Sequence, residues 1–383
     1  MKKYILITAA LGLCLFALGF TMFNTSALSQ DLKKNNELFA MAAHQVISID
    51  GVNIEAPTIV QNLTLYILTG EEKVKGRNYK TLSNAMESKD VVVNETGQVN
   101  ELSIDNNSDE YIFIHSGDIV KGGKQDRTIS FDVIVPPNAK NVSLESFCVE
   151  QGRWQQRSGE EVASFGSNTK MLSSRDLKLA AKHNKNQSEV WSKVSEQKER
   201  LSKNISEKTG NEVDVSANAS NTSLQLALES KDLEKLKKEF YVELEDLINT
   251  PNAIGYAYAI NGEMYGVEIY NNEQLFKDLW DKILESVIVE AISKQGEEVT
   301  ETSSSEDVVA FMNAVKKDEK GSLKEVNKTT NFSTVENAEG NVVFTTEDAD
   351  KKEWIHRSYM KSDLTNSKEN QETQRVRQER HER

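Results

Sequence analysis

Apolar residues recur along this chain with two periods, and the changes between them outline its elements. In residues 62–68, Leu63, Leu65 and Ile67 alternate with Asn62, Thr64 and Tyr66, which predicts a strand. Residues 111–115 (YIFIH) predict a second. Over 128–135, Ile129, Phe131, Val133 and Val135 share a face opposite Thr128, Ser130 and Asp132, the clearest strand signal of all. Pro136-Pro137 stops that strand, Asn138 favours a turn, and 142–149 reads as its antiparallel partner. Residues 254–260 and 263–270 flank Asn261-Gly262, whose tolerance of positive φ predicts a tight type I′ hairpin. The period lengthens to that of a helix over 186–205, 232–249 and 275–292, and over a shorter stretch at 307–316. Late strands are predicted at 341–346 and 354–360. The polar stretch 156–174 reads as a loop, 206–222 and 295–306 as polar inserts, 30–56 as a lead-in, and 361–383 as a charged, disordered tail. There is no internal repeat. The pattern predicts a single α+β domain over 57–360, with antiparallel sheets of hairpins and meander packed with amphipathic helices.

The N-terminus has a different origin. Lys2 and Lys3 precede the apolar run 4–20, and small residues follow at Ala27-Leu28-Ser29. That order is the order of a secretory signal peptide, with cleavage after Ser29, and it places the protein in the periplasm or outside the cell. The competing reading is a retained anchor over 4–23. Cys14 follows Leu13 rather than a small residue, which argues against lipidation. Cleavage leaves Cys148 as the sole cysteine, so no internal disulfide is expected. It also removes two lysines and no acids from a chain whose formal net charge is already −14. A surface so acidic argues against a nucleic-acid partner. No stable membrane span is expected after cleavage, and the sequence names no protein partner.

Candidate chemistry concentrates in 117–157, which has a slight cationic excess within an acidic chain. Gly122, Gly123 and Lys124 suggest a phosphate cradle. A P-loop would need glycine at 118 and Ser or Thr at 125, where the chain has Asp118 and Gln125. Arg127 and Arg153 bracket the 128–149 strand pair. An antiparallel hairpin brings them to one end, where two guanidiniums can clamp a carboxylate or phosphate. With Gln125, Glu150, Gln151 and Trp154 they form the expected site for an anionic, nucleotide-like small molecule. Two alternatives stay open: a hydrolase using Glu150 or Asp126 as general base, and a structural module in which Arg127 and Glu150 form a buried ion pair. Cys148 lacks a sequence-adjacent activator, His115 being the best partner on offer, and is expected to be inert packing. No metal motif and no cofactor motif is present: the histidines lack i,i+4 spacing and there is no C-x-x-C.

The run from Gly117-Asp118 through Gly122-Gly123-Lys124-Gln125-Asp126-Arg127, with Val135-Pro136 and Cys148-Val149-Glu150-Gln151-Gly152-Arg153-Trp154, resembles a bacterial domain family of unknown function. That family is named for its association with ADP-ribosylglycohydrolases and the rhodanese-phosphatase superfamily. Gln187-Ser188-Glu189-Val190-Trp191, the hairpin at 255–266, the helix at 275–286 and the strand at 354–359 are similar to its further blocks. The resemblance spans roughly 57–360. It implies no activity of its own; the name implies a neighbourhood in NAD or ADP-ribose metabolism, at odds with an export signal.

Overall fold

The computed structural model describes residues 47–153, 165–215, 222–296, 302–315 and 321–362. The expected signal peptide, Trp154 and the expected charged tail beyond 362 lie outside the described residues. Everything that follows concerns the unit Ser48–Arg383.

Leu63–Gly70 is buried from Leu63 to Thr69, because layers cover both of its faces. It is a central strand of the largest sheet. Strand order there runs Val52–Ile54, Leu63–Gly70, Ala253–Ile260, Glu263–Tyr270, Glu353–Lys361, Asn341–Asp348, Thr330–Glu336 and Gly321–Asn327, with antiparallel pairing between each neighbouring pair. The expected hairpin is present: Ile260 pairs with Glu263, and Asn261 and Gly262 have φ of 54° and 84°. A second antiparallel sheet runs Phe165–Leu172, Asp118–Gly122, Arg127–Ile129, Val142–Cys148, Glu101–Asn106, Val91–Glu95. A third joins Val133–Val135, Tyr111–Ile114 and Tyr79–Thr81, the last pair being parallel. The architecture is α+β.

Helix Glu273–Ser293 lies between layers, packing against Phe165–Leu172 and Ala253–Ile260. Asn272 caps it through Leu275 N, 2.8 Å away. Where both sides are covered, in its C-terminal half, even charged residues are buried and paired: Lys282 with Asp118 and Ser83, Glu285 with Lys237 and Tyr241, Glu290 with Tyr258. Helix Gln187–Thr209 ends at Gly210, in left-handed conformation at φ 70°. Helix Lys231–Leu244 continues as a 3₁₀ turn to Asn249, and Ser305–Asn313 opens on a Ser304/Asp307 capping box.

Several boundaries differ from the sequence reading. Val52–Ile54 already belongs to the main sheet, inside the expected lead-in. Phe165–Leu172 is a strand where a loop is expected. Val213 and Val215, within the expected 206–222 insert, pack on the main core. The largest difference lies in 128–135. Its even alternation predicts one strand, but the chain makes two. Arg127–Ile129 pairs with Val142–Cys148 in the second sheet, and Val133–Val135 pairs with Tyr111–Ile114 in the third. Ser130, Phe131 and Asp132 carry the chain across.

Candidate functional site

The residues expected to bind a ligand are brought together, but they face one another. Arg127 is fully buried, and its Nη1 donates to Gln125 Oε1 (3.2 Å) and Cys148 Sγ (2.6 Å). Glu95 is a nearby carboxylate, 3.7 Å from Nη2. Arg153 Nε lies 2.7 Å from Glu150 Oε2, and its Nη1 donates to Gly123 O (3.2 Å). Glu150 is completely buried and also accepts from Asp126 N, while its carbonyl accepts from Gln125 Nε2. Asp126 accepts from Gly122 N and Ser223 Oγ. Gln151 is exposed, Lys124 is half-buried, and Trp154 lies outside the described residues. The guanidiniums and the Glu150 and Asp126 carboxylates thus also engage one another and neighbouring backbone inside the protein. Gly122 and Gly123 serve the backbone: both have positive φ, and a Cβ on Gly123 would stand 2.5 Å from the Phe165 ring. Burial pushes the Cys148 thiol upward against the pull of Arg127, which is the direction of an inert thiol. His115 is engaged with other residues.

Those residues form a cluster that the sequence does not announce. His115 follows strand Tyr111–Ile114. Asp132 ends the crossing segment. Glu268 and Tyr270 lie on one strand, and His356 lies opposite Tyr270 on the next. His356 Nδ1 is 2.8 Å from Asp132 Oδ2, which also accepts from Thr346 Oγ1 (2.6 Å). His115 Nδ1 is 2.6 Å from Ser116 O, and its Nε2 is 2.8 Å from Tyr270 Oη. Glu268 Oε2 lies 3.3 Å from His115 Nε2 and 3.2 Å from His356 Nε2, while Lys178 Nζ holds Oε1 at 3.0 Å. Burial alone would raise the carboxyls of Asp132 and Glu268. The positive neighbours outweigh it, chiefly His356 for Asp132 and Lys178 for Glu268, and both stay below the ordinary carboxylate range.

Next to this cluster is a cleft of about 440 Å³. Phe131 and Phe332 meet edge to face there, with ring centroids 4.7 Å apart. Lys324 and Lys185 reach over the Phe131 ring at 4.1 and 5.1 Å, and both approach Glu145. His183 lies 3.1 Å from Glu336. Lys182 also lines the cleft and is only 4% exposed. Its Nζ sits 4.0 Å from the centre of the Phe344 ring and has no carboxylate within ion-pair distance among the described residues. Burial pushes this amine down to about 8; Asp132 and Glu268 resist that shift and Lys178 adds to it. The segment that presents it, Leu179–His183, is a π-helical turn, a widened turn that sets Lys182 and His183 side by side on the cleft wall.

The one signal that points to the buried cluster is charge in the wrong place. Glu268 in YGVEIY and His356 in WIHRSY are ionisable residues inside apolar strand segments, and Asp132 in SFDVIV directly precedes one. Their convergence is not visible, because the segments are far apart in sequence.

Neither curated proteins nor solved structures provide a match to this chain. A family model does, over residues 51–360, from the Val52–Ile54 strand of the main sheet to the strand that carries His356. On that match the chain belongs to the ARPP-1 family, the ARG and Rhodanese-Phosphatase-superfamily-associated Protein domain.

Proposed function

We propose that this is an exported ligand-binding or sensing domain for an anionic, nucleotide-like small molecule, and that the ligand occupies the Phe131/Phe332 cleft. The observation that carries the reading is Lys182, a buried amine with no carboxylate within ion-pair distance among the described residues, on the wall of a cleft of ligand size. Lys185 and Lys324 stand at the same cleft wall, sharing Glu145 between them. The phenylalanine pair offers a planar group a surface to stack on. An anion at Lys182 would supply the missing counter-charge. The basic, apolar, small-residue N-terminus supports export, and no helix among the described residues is long and apolar enough to cross a membrane.

The test is a thermal-shift and calorimetric screen of the protein from residue 30 onward. The panel is nucleotides, ADP-ribose, sugar phosphates and organic acids, with inorganic phosphate as control. A hit is expected to weaken at least tenfold in Lys182→Met and in Lys324→Ala. Phe131→Leu is expected to weaken aromatic ligands more than inorganic phosphate. If a hit survives both lysine changes in folded protein, the cleft is not its site.

Lys182 also favours a second reading. An amine that is partly neutral near pH 8 can condense with a carbonyl, expelling water to leave an imine. Borohydride reduction in the presence of an aldehyde ligand would then leave a secondary amine at Lys182, adding the ligand's mass less one oxygen, and nothing in Lys182→Met.

A further inference from the structure

We propose that His115, His356 and Glu268 form a binding site for a first-row divalent transition-metal ion. The argument starts from where the protons are. Ser116 O can only accept, so its 2.6 Å contact places the His115 proton on Nδ1 and leaves a lone pair on Nε2. The Asp132 carboxylate likewise takes the Nδ1 proton of His356. His356 Nε2 is fully buried and makes no hydrogen bond, although Glu268 Oε2 lies 3.2 Å away. Against the opposition of burial, Asp132 and Glu268 favour the protonated form of His356, and metal ligation requires that its Nε2 proton leave. The two Nε2 atoms and Glu268 Oε2 then face one another as three buried electron-pair donors. The one hydroxyl among them, Tyr270 Oη, is 2.8 Å from His115 Nε2 and 3.1 Å from Glu268 Oε2, and it has a single proton to give.

The two spacings that Glu268 makes to the imidazoles are compatible with a coordination shell. Ligand atoms about 2.0–2.1 Å from a tetrahedral ion stand about 3.3 Å apart. The two edges that Glu268 Oε2 makes are 3.3 and 3.2 Å. Outer contacts are also those expected around a metal. Each imidazole gives its other N–H to a carboxylate or a carbonyl, and Lys178 holds Oε1 so that Oε2 turns to the histidines. Two imidazoles and one carboxylate suit Zn²⁺, Co²⁺ or Fe²⁺ and leave further coordination positions for a small ligand. The cleft reading does not depend on this ion, nor the ion on the cleft.

The experiment uses the protein from residue 30 onward, stripped with chelator and then titrated with Zn²⁺ and separately with Co²⁺. About one equivalent of each is expected to be retained through desalting. Zn²⁺ is expected to raise the melting temperature, and Co²⁺ to give visible ligand-field absorption, intense if the site is tetrahedral. Asp132→Asn leaves all three ligands in place and is expected to weaken binding by about 10–100-fold. His356→Ala is expected to abolish it. Should the ligand variants fail to fold, stoichiometry and the cobalt spectrum of the unaltered protein decide the matter. The proposal is overturned if that protein retains no Zn²⁺ or Co²⁺, or if folded His356→Ala retains as much.

Discussion

At the scale of single residues, Lys182 carries the clearest cost. Its buried amine falls to about 8, well under the ordinary lysine value. At pH 7 it is charged in both folded and unfolded chains, and burial of that charge opposes folding by about 3 kcal/mol on the linkage conversion. Lys182→Met is therefore expected to stabilise the protein by about 1–3 kcal/mol at pH 7. The sign fixes how the gap changes with pH. The folded form sheds its proton above pH 8, before the unfolded form does at about 10.4. The wild type thus gains on the variant through that window, and the difference closes. Urea denaturation of both proteins at pH 7, 8.5 and 10 measures it, and a constant gap would mean that the amine is not depressed. Retaining an expensive lysine at a cleft is what a binding residue looks like, since activity and stability trade against each other at such sites.

At the scale of elements, local chemistry was readable and pairing was not. Asn261-Gly262 specifies its turn through positive φ alone, and the apolar stripe of 275–292 specifies a buried helix. Both are decided within a few residues of themselves. The strand at 128–135 reads as unbroken because alternation reports which face is apolar and not which sheet that face belongs to. Gly321–Asn327 went unread because this edge strand has no buried residue. Charges in 117–157 were found by composition, but whether they meet a ligand or each other depends on Glu95, Phe165 and Ser223, each from another element. The glycine turn there makes a measurable claim. Gly123 has φ 53°, and a Cβ would stand 2.5 Å from Phe165. Gly123→Ala is expected to cost about 2–4 kcal/mol, the sum of left-handed strain and overpacking. Gly51, at φ 82° with open space around it, supplies the control. Gly51→Ala is expected to cost only the backbone part, about 1 kcal/mol. Equal urea midpoints for the two variants would show that Phe165 gives way freely.

At the scale of the molecule, the crossing at Ser130, Phe131 and Asp132 links two places that have otherwise been described apart. Phe131 lines the cleft, while the next residue, Asp132, holds His356 in the interior. A planar ligand that presses on Phe131 acts on the same short length of backbone that positions the His356 imidazole. Sequence could not convey this, because the partners of Asp132 arrive from the far end of the chain. The consequence is thermodynamic reciprocity. If Zn²⁺ at the imidazoles changes cleft affinity by some factor, the cleft ligand must change Zn²⁺ affinity by the same factor. Calorimetric titration of each in the presence and absence of the other is expected to give a factor different from one. Phe131→Ala, which removes the ring from this linkage, is expected to return it towards one. A factor of one in the unaltered protein would mean that three residues of backbone are enough to insulate an occupied surface from an occupied interior.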